Sequence, residues 1–196
     1  QAQVQHAQLA LQVAEQHDAP AIAAKAKRYL AIALDQMGEH DRAEALLHES
    51  IAGFQRSANP KEEAGARTSL GILLAGKNQI QEASAEYQRA LDLFQRIGDR
   101  YGIAAVYSNI ANVLWNSGDR DGAEAALRQV LAIRKEKGDM EGQGWAMIGL
   151  AQMQLDDAAS DATLEVYRQV IALDDQFAGR SQLLDALMKY IEALQL

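Results

Sequence analysis

The chain repeats itself every 40 residues, and that period constrains its fold more than any other feature. Ala10-Leu11, Ser50-Ile51, Ala90-Leu91, Val130-Leu131 and Val170-Ile171 each lie 40 positions from the last. Ala31, Gly71, Ala111 and Ala151 form a second column, preceded by Leu30, Leu70, Ile110 and Leu150. Ala43, Ala83 and Ala123 form a third, with Thr163 in its fourth place. Turns fall at Gly38, Asn78, Gly118 and Ala158, and unit boundaries at Asp18, Ala58, Gly98, Gly138 and Ala178. Several independent columns on one period predict stacked units, each burying its apolar face on its neighbours, with no central core. The best-defined unit is 107–138: a helix, a turn at Gly118-Asp119, and a second helix closing on Gly138-Asp139.

Within each unit, apolar residues recur at three- and four-residue steps, the mark of a helix with one buried stripe. The spacing predicts ten helices, near 2–16, 21–37, 41–57, 61–76, 80–97, 101–116, 120–136, 141–155, 160–175 and 179–194. Strict alternation is absent, and no Val/Ile/Thr run is bounded by hairpin turns, so the fold class is all-α. The small-residue columns let helix axes approach to about 8–10 Å. Leu34, Leu47, Leu74, Tyr87, Leu114, Leu127 and Tyr167 fill the gaps beside them. Gly38, Gly98, Gly118 and Gly138 suit the left-handed conformation that ends a helix. Asp41, Asp99, Asp119 and Asp139 stand where a side chain caps the next one. Pro20 and Pro60 lie between units, where proline opens a helix without breaking it.

These columns resemble the tetratricopeptide repeat, which pairs a small residue midway along helix one with Ala early in helix two. Here those residues are Ala111 and Ala123, with Tyr107, Ile110 and Leu114 in the first helix and Leu127 and Val130 in the second. The common repeat is about 34 residues, so each helix here is longer by nearly a turn. Such lengthened repeats are similar to those of kinesin light chains, spindle-orientation scaffolds and bacterial regulators fused to DNA-binding or nucleotide-hydrolysing domains. The resemblance implies a right-handed α-α superhelix, a solenoid of helical hairpins forming a single array over 1–196. Its parts are a truncated repeat's second helix (1–18), repeats 19–58, 59–98, 99–138 and 139–178, and a terminal helix (179–196). A start at Gln1 and an unpaired first helix predict a piece of a longer protein.

In that family the first helices line a concave groove that receives a peptide or partner helix. Mapping helix faces puts Arg28, Ile32, Asp35, Ser69, Ile72, Asn109, Asn112, Trp115, Asn116, Ile148 and Gln152 on that groove. Asn109, Asn112 and Asn116 are spaced 3 and 4 and share one helix face. Asn both donates and accepts hydrogen bonds, which suits an extended peptide backbone. Trp115 is an apolar anchor of the type favoured at binding hot spots.

Other chemistries find little support. A net charge of −8 argues against nucleic acid, whose phosphates need a basic face. No segment approaches the roughly 18 apolar residues of a membrane span. Zero Cys removes disulfides, thiolate metal sites and Cys nucleophiles; without a visible signal peptide, the expected location is cytoplasmic. His40, Glu44 and His48 read as a surface set rather than a metal triplet, since His40 belongs to a turn. Gly142, Gly144 and Gly149 miss the dinucleotide spacing. Asp156-Asp157 and Asp174-Asp175 lack a calcium loop around them. Arg128, Arg134, Lys135 and Lys137 suit a helix C-terminus. No catalytic residues, metal or cofactor are expected. The expected function is a non-catalytic module binding a peptide or protein segment, without nucleic acid or membrane. The alternative is a sensor domain of a larger bacterial regulator (a transcription factor or ATPase) that binds a signal peptide or effector. A homodimer is also open to it, because both ends expose apolar helix faces that a second copy could cover.

Overall fold

The computed structural model describes residues 2–154, with 168 and 169. The helices expected near 160–175 and 179–194 lie outside the described residues, as do column members Ala158, Thr163, Tyr167, Val170-Ile171 and Ala178. Residues 2–154 form eight helices and no strand: α1 (Ala2–Gln16), α2 (Pro20–Asp35), α3 (His40–Arg56), α4 (Pro60–Gly76), α5 (Ile80–Ile97), α6 (Arg100–Asn116), α7 (Arg120–Glu136) and α8 (Met140–Gln154). Each begins and ends within two residues of its expected place. No helix among the described residues is long and apolar enough to cross a membrane. The chain divides into two compact units, Gln1–Val106 and Tyr107–Leu196.

What ends the first seven helices is common to all of them. Asp18, Gly38, Ala58, Asn78, Gly98, Gly118 and Gly138 have positive φ, between 48° and 86°, at a constant step of 20 residues. At each, the amide of the next residue donates to the carbonyl five positions before it. Glu39 donates to Leu34 at 3.0 Å, Asn59 to Phe54 at 3.0 Å, Asp99 to Phe94 at 2.9 Å and Asp119 to Leu114 at 2.9 Å. The bond satisfies a carbonyl that the helix itself leaves without a partner, and the left-handed residue turns the chain back.

Capping completes most of the turns. Asp99, Asp119 and Asp139 each accept from the amide three residues on, Gly102, Gly122 and Gly142, at 2.9, 3.0 and 2.8 Å. Asn59 does the same for Glu62. Lys61, 2.8 Å from Asp99, and that amide together hold the Asp99 carboxyl below its usual range. Asp41 is a correction to the sequence expectation. Helix α3 starts at His40 after an N-cap Glu39, so Asp41 lies inside its first turn and pairs with Lys77 at 3.1 Å. There its charge favours the helix N-terminus without capping it.

The small-residue columns are the buried seam. Ala31, Ala43, Ala83, Ala111, Ala123 and Ala151 expose no surface. A Cβ added at Gly71 would lie 2.5 Å from the Tyr87 ring, so the ring fills the place a side chain would take. Burial pushes the Tyr87 phenol up to about 12. In the second unit Ala111, Ala126 and Leu127 form the packed centre, covered by Tyr107, Ile110, Leu150 and Met153.

Ala58 is the strained member of the turn column, with a Cβ at φ 50°. Left-handed conformation costs an L-residue roughly 1–2 kcal/mol, against roughly 0.5–1 kcal/mol for the extra chain entropy of glycine. Ala58→Gly is therefore expected to stabilise the chain by about 1 kcal/mol and to raise Tm. A lower Tm would contradict this account of the turns.

Candidate functional site

A cleft of about 640 Å³ opens in the second unit between α6, α7 and α8. Ser108, Asn112 and Trp115 come from α6; Leu127, Val130 and Arg134 from α7; Trp145, Gly149 and Gln152 from α8; Asp139 and Glu141 from the turn leading into α8 and its first residues. Steps of three and four residues set each group on one face of its helix. Gly149 lets α8 sit close on α7, since a Cβ there would lie 2.9 Å from Leu127.

The polar groups of the cleft divide into satisfied and free. Arg134 and Asp139 pair at 2.5 Å, and the other Asp139 oxygen accepts from the Gly142 amide. Arg120 lies 5.2 Å over the Trp115 ring, occupying one of its faces. By contrast, among the described residues Glu141 has no ion pair and no cation covers Trp145, whose surface is 43% exposed. Asn112 and Gln152 are exposed amides without a hydrogen-bond partner among the described residues.

The first unit holds a smaller version of the same site. Its cleft of about 110 Å³ is lined by Ile32, Asp35, Leu47, Ser69, Ile72 and Leu73. Each stands 80 positions before Asn112, Trp115, Leu127, Gly149, Gln152 or Met153, all of which line the larger cleft. The two units also differ beside these walls. Arg28 pairs with Glu62 at 3.2 Å and lies where a Cβ at Gly65 would collide with it. Eighty residues on, those positions are Ser108, Gly142 and Trp145. Where the first unit packs an ion pair against a glycine, the second has a serine, a glycine and the Trp145 side chain.

The residues expected on the groove are thus placed unequally. Asn112, Trp115 and Gln152 line one cleft. Asp35 lines the smaller one with Ile32, Ser69 and Ile72, and contacts His40 Nδ1 at 2.7 Å. Arg28 is held by Glu62 and stacks 5.3 Å over Tyr29. Asn109 is half-buried and Asn116 exposed, and neither lines the cleft. Ile148 is corrected: at 4% exposure its apolar side chain serves the core beside Met147 and Ala151 rather than the groove. Arg134 likewise does more than complement a helix end, since it pairs with Asp139 inside the cleft. Sequence reasoning missed Trp145, Ser108 and Glu141. The step 141, 145, 149, 152 along α8 marks one face and was the available signal. Of the histidine set, His40 contacts Asp35 and Glu44 binds Lys77 at 2.7 Å, and no metal-binding group of three occurs among the described residues.

Both tryptophans of the chain line the larger cleft, so intrinsic fluorescence reports on it. Trp115→Phe, which keeps the open Trp145 ring, should give red-shifted emission that acrylamide quenches readily. Trp145→Phe, which keeps the ring under Arg120, should resist quenching; equal quenching of the two variants would contradict the geometry.

Two family models described as tetratricopeptide repeat match, at residues 24–61 and 62–136. No curated protein matches the chain. Solved structures match in fold. BtubC (BKLC) from P. vanneervenii has a TM-score of 0.67 at 20% identity, over 83% of this chain and 68% of that one. A Podosopora anserina protein described as a putative kinesin light chain with nearly identical TPR-like repeats has a TM-score of 0.63 at 16% identity, over 91% of this chain and 96% of that one. A point variant of that same protein gives the same score and identity over 89% and 94%. Identities this low show the fold alone: the all-α tetratricopeptide solenoid. Repeats of this kind are protein–protein interaction scaffolds and typically non-catalytic. With its two family matches adjoining and together spanning more than half of its length, the chain belongs to the tetratricopeptide repeat family.

Proposed function

We propose that the chain is a non-catalytic cytoplasmic module of repeats 19–58, 59–98, 99–138 and 139–178, which holds an extended segment of a partner protein in the cleft between α6 and α8. The observation that carries this reading is a pair of amides without a partner among the described residues, Asn112 on α6 and Gln152 on α8, lining one cleft with two tryptophans. An extended peptide presents backbone donors and acceptors that no helix or sheet satisfies, and a carboxamide supplies both complements. Trp115 and Trp145 offer large apolar area at low entropic cost, the property that makes tryptophan an anchor. Leu127 and Val130 give the floor an apolar surface.

A random-peptide display library selected on the intact chain tests this. Selected peptides should bind the triple variant Asn112→Ala, Trp115→Ala, Gln152→Ala at least about tenfold more weakly by calorimetry, as hot-spot truncation implies. Unchanged affinity for that variant would remove the cleft from the function.

A further inference from the structure

The first unit shows how this architecture holds an arginine. Arg28 lies against Gly65, pairs with Glu62 and stacks over the Tyr29 ring. Eighty residues later its position is Ser108, and the long side chain is gone. In the second unit Trp145 stands at the position of Gly65, and the cleft beside it offers the groups a guanidinium needs. Glu141 supplies a carboxylate without an ion pair among the described residues, and Trp145 an indole face with no cation over it. The two are four residues apart on α8, so they share a face. The chain twice stacks a guanidinium on an aromatic ring, Arg28 over Tyr29 and Arg120 over Trp115, so the arrangement is native to this architecture. Arg134 does not oppose it, because Asp139 neutralises it at 2.5 Å.

We infer that the cleft of the second unit selects partner segments through an arginine side chain, stacked on Trp145 and paired with Glu141. The inference rests on the cleft reading proposed above and adds the chemistry of the partner. Arginine is favoured over lysine because its planar fork both stacks and bonds a carboxylate with two parallel donors. The net charge of −8 draws a basic segment in.

The same display selection separates this inference from the reading beneath it. The selected peptides should share an arginine. Its replacement by citrulline, which keeps the shape and removes the charge, should weaken binding about five- to tenfold, as should Glu141→Gln. The two changes made together should cost no more than one alone, because they remove the same pair. Peptides that need Asn112, Trp115 and Gln152 but carry no arginine would overturn the inference and leave the cleft reading standing. So would affinity indifferent to Glu141→Gln. Failure to select any peptide that needs the cleft would overturn both.

Discussion

Everything in this molecule depends on how its helices stop. Each of the first seven ends in a left-handed residue followed by an amide that reaches back five positions, and the stops come every 20 residues. That constant step returns the same rotational phase at the same position of each hairpin. A residue that faces the seam in one unit therefore faces it in the next. That phase is why a column of alanines can be fully buried without long-range design. The exposed turn residues need only be compatible with positive φ, which glycine meets freely and Ala58 meets under strain.

Phase also explains why two clefts share six equivalent wall positions while differing in volume. The backbone offers the same recess in both units. Side chains then decide whether it is filled. Arg28 and Glu62 give the first unit a paired charge, whereas the second has Ser108 and Gly142, with Trp145 in place of Gly65. The column Ile32, Ile72, Asn112, Gln152 changes from apolar to amide along the chain, so the chemistry of the walls differs between units although the scaffold does not.

That division sets what the sequence could reveal. Seam residues such as Ala111 and Ala123 were legible because packing imposes one size at one phase, repeated in every unit. Exposed cleft residues are not held to one size by packing, so their identities carry no period. Asn109, Asn112 and Asn116 stood out as a stripe on one helix, yet a cleft needs a second wall, and only Asn112 of the three reaches it. Trp145 supplies that wall with no echo 40 residues earlier, where the chain has Ala105. Ile148 followed the expected face but was drawn into the core, since an apolar chain gains more from burial than from a wet groove. Arg134 was taken for a helix-end charge because the turn that brings Asp139 back to it is a tertiary feature.

The most direct test of the shared phase is the melting of Gly71→Ala. The stacking puts the Tyr87 ring 2.5 Å from where the new Cβ would lie, and that ring is buried and cannot retreat. The account predicts a loss of about 1–2 kcal/mol from overpacking and a lower Tm. Gly76→Ala, in open space at the end of the same helix, should be neutral or stabilising through helix propensity. A Gly71→Ala chain as stable as the parent would mean that α4 and α5 do not pack in this register.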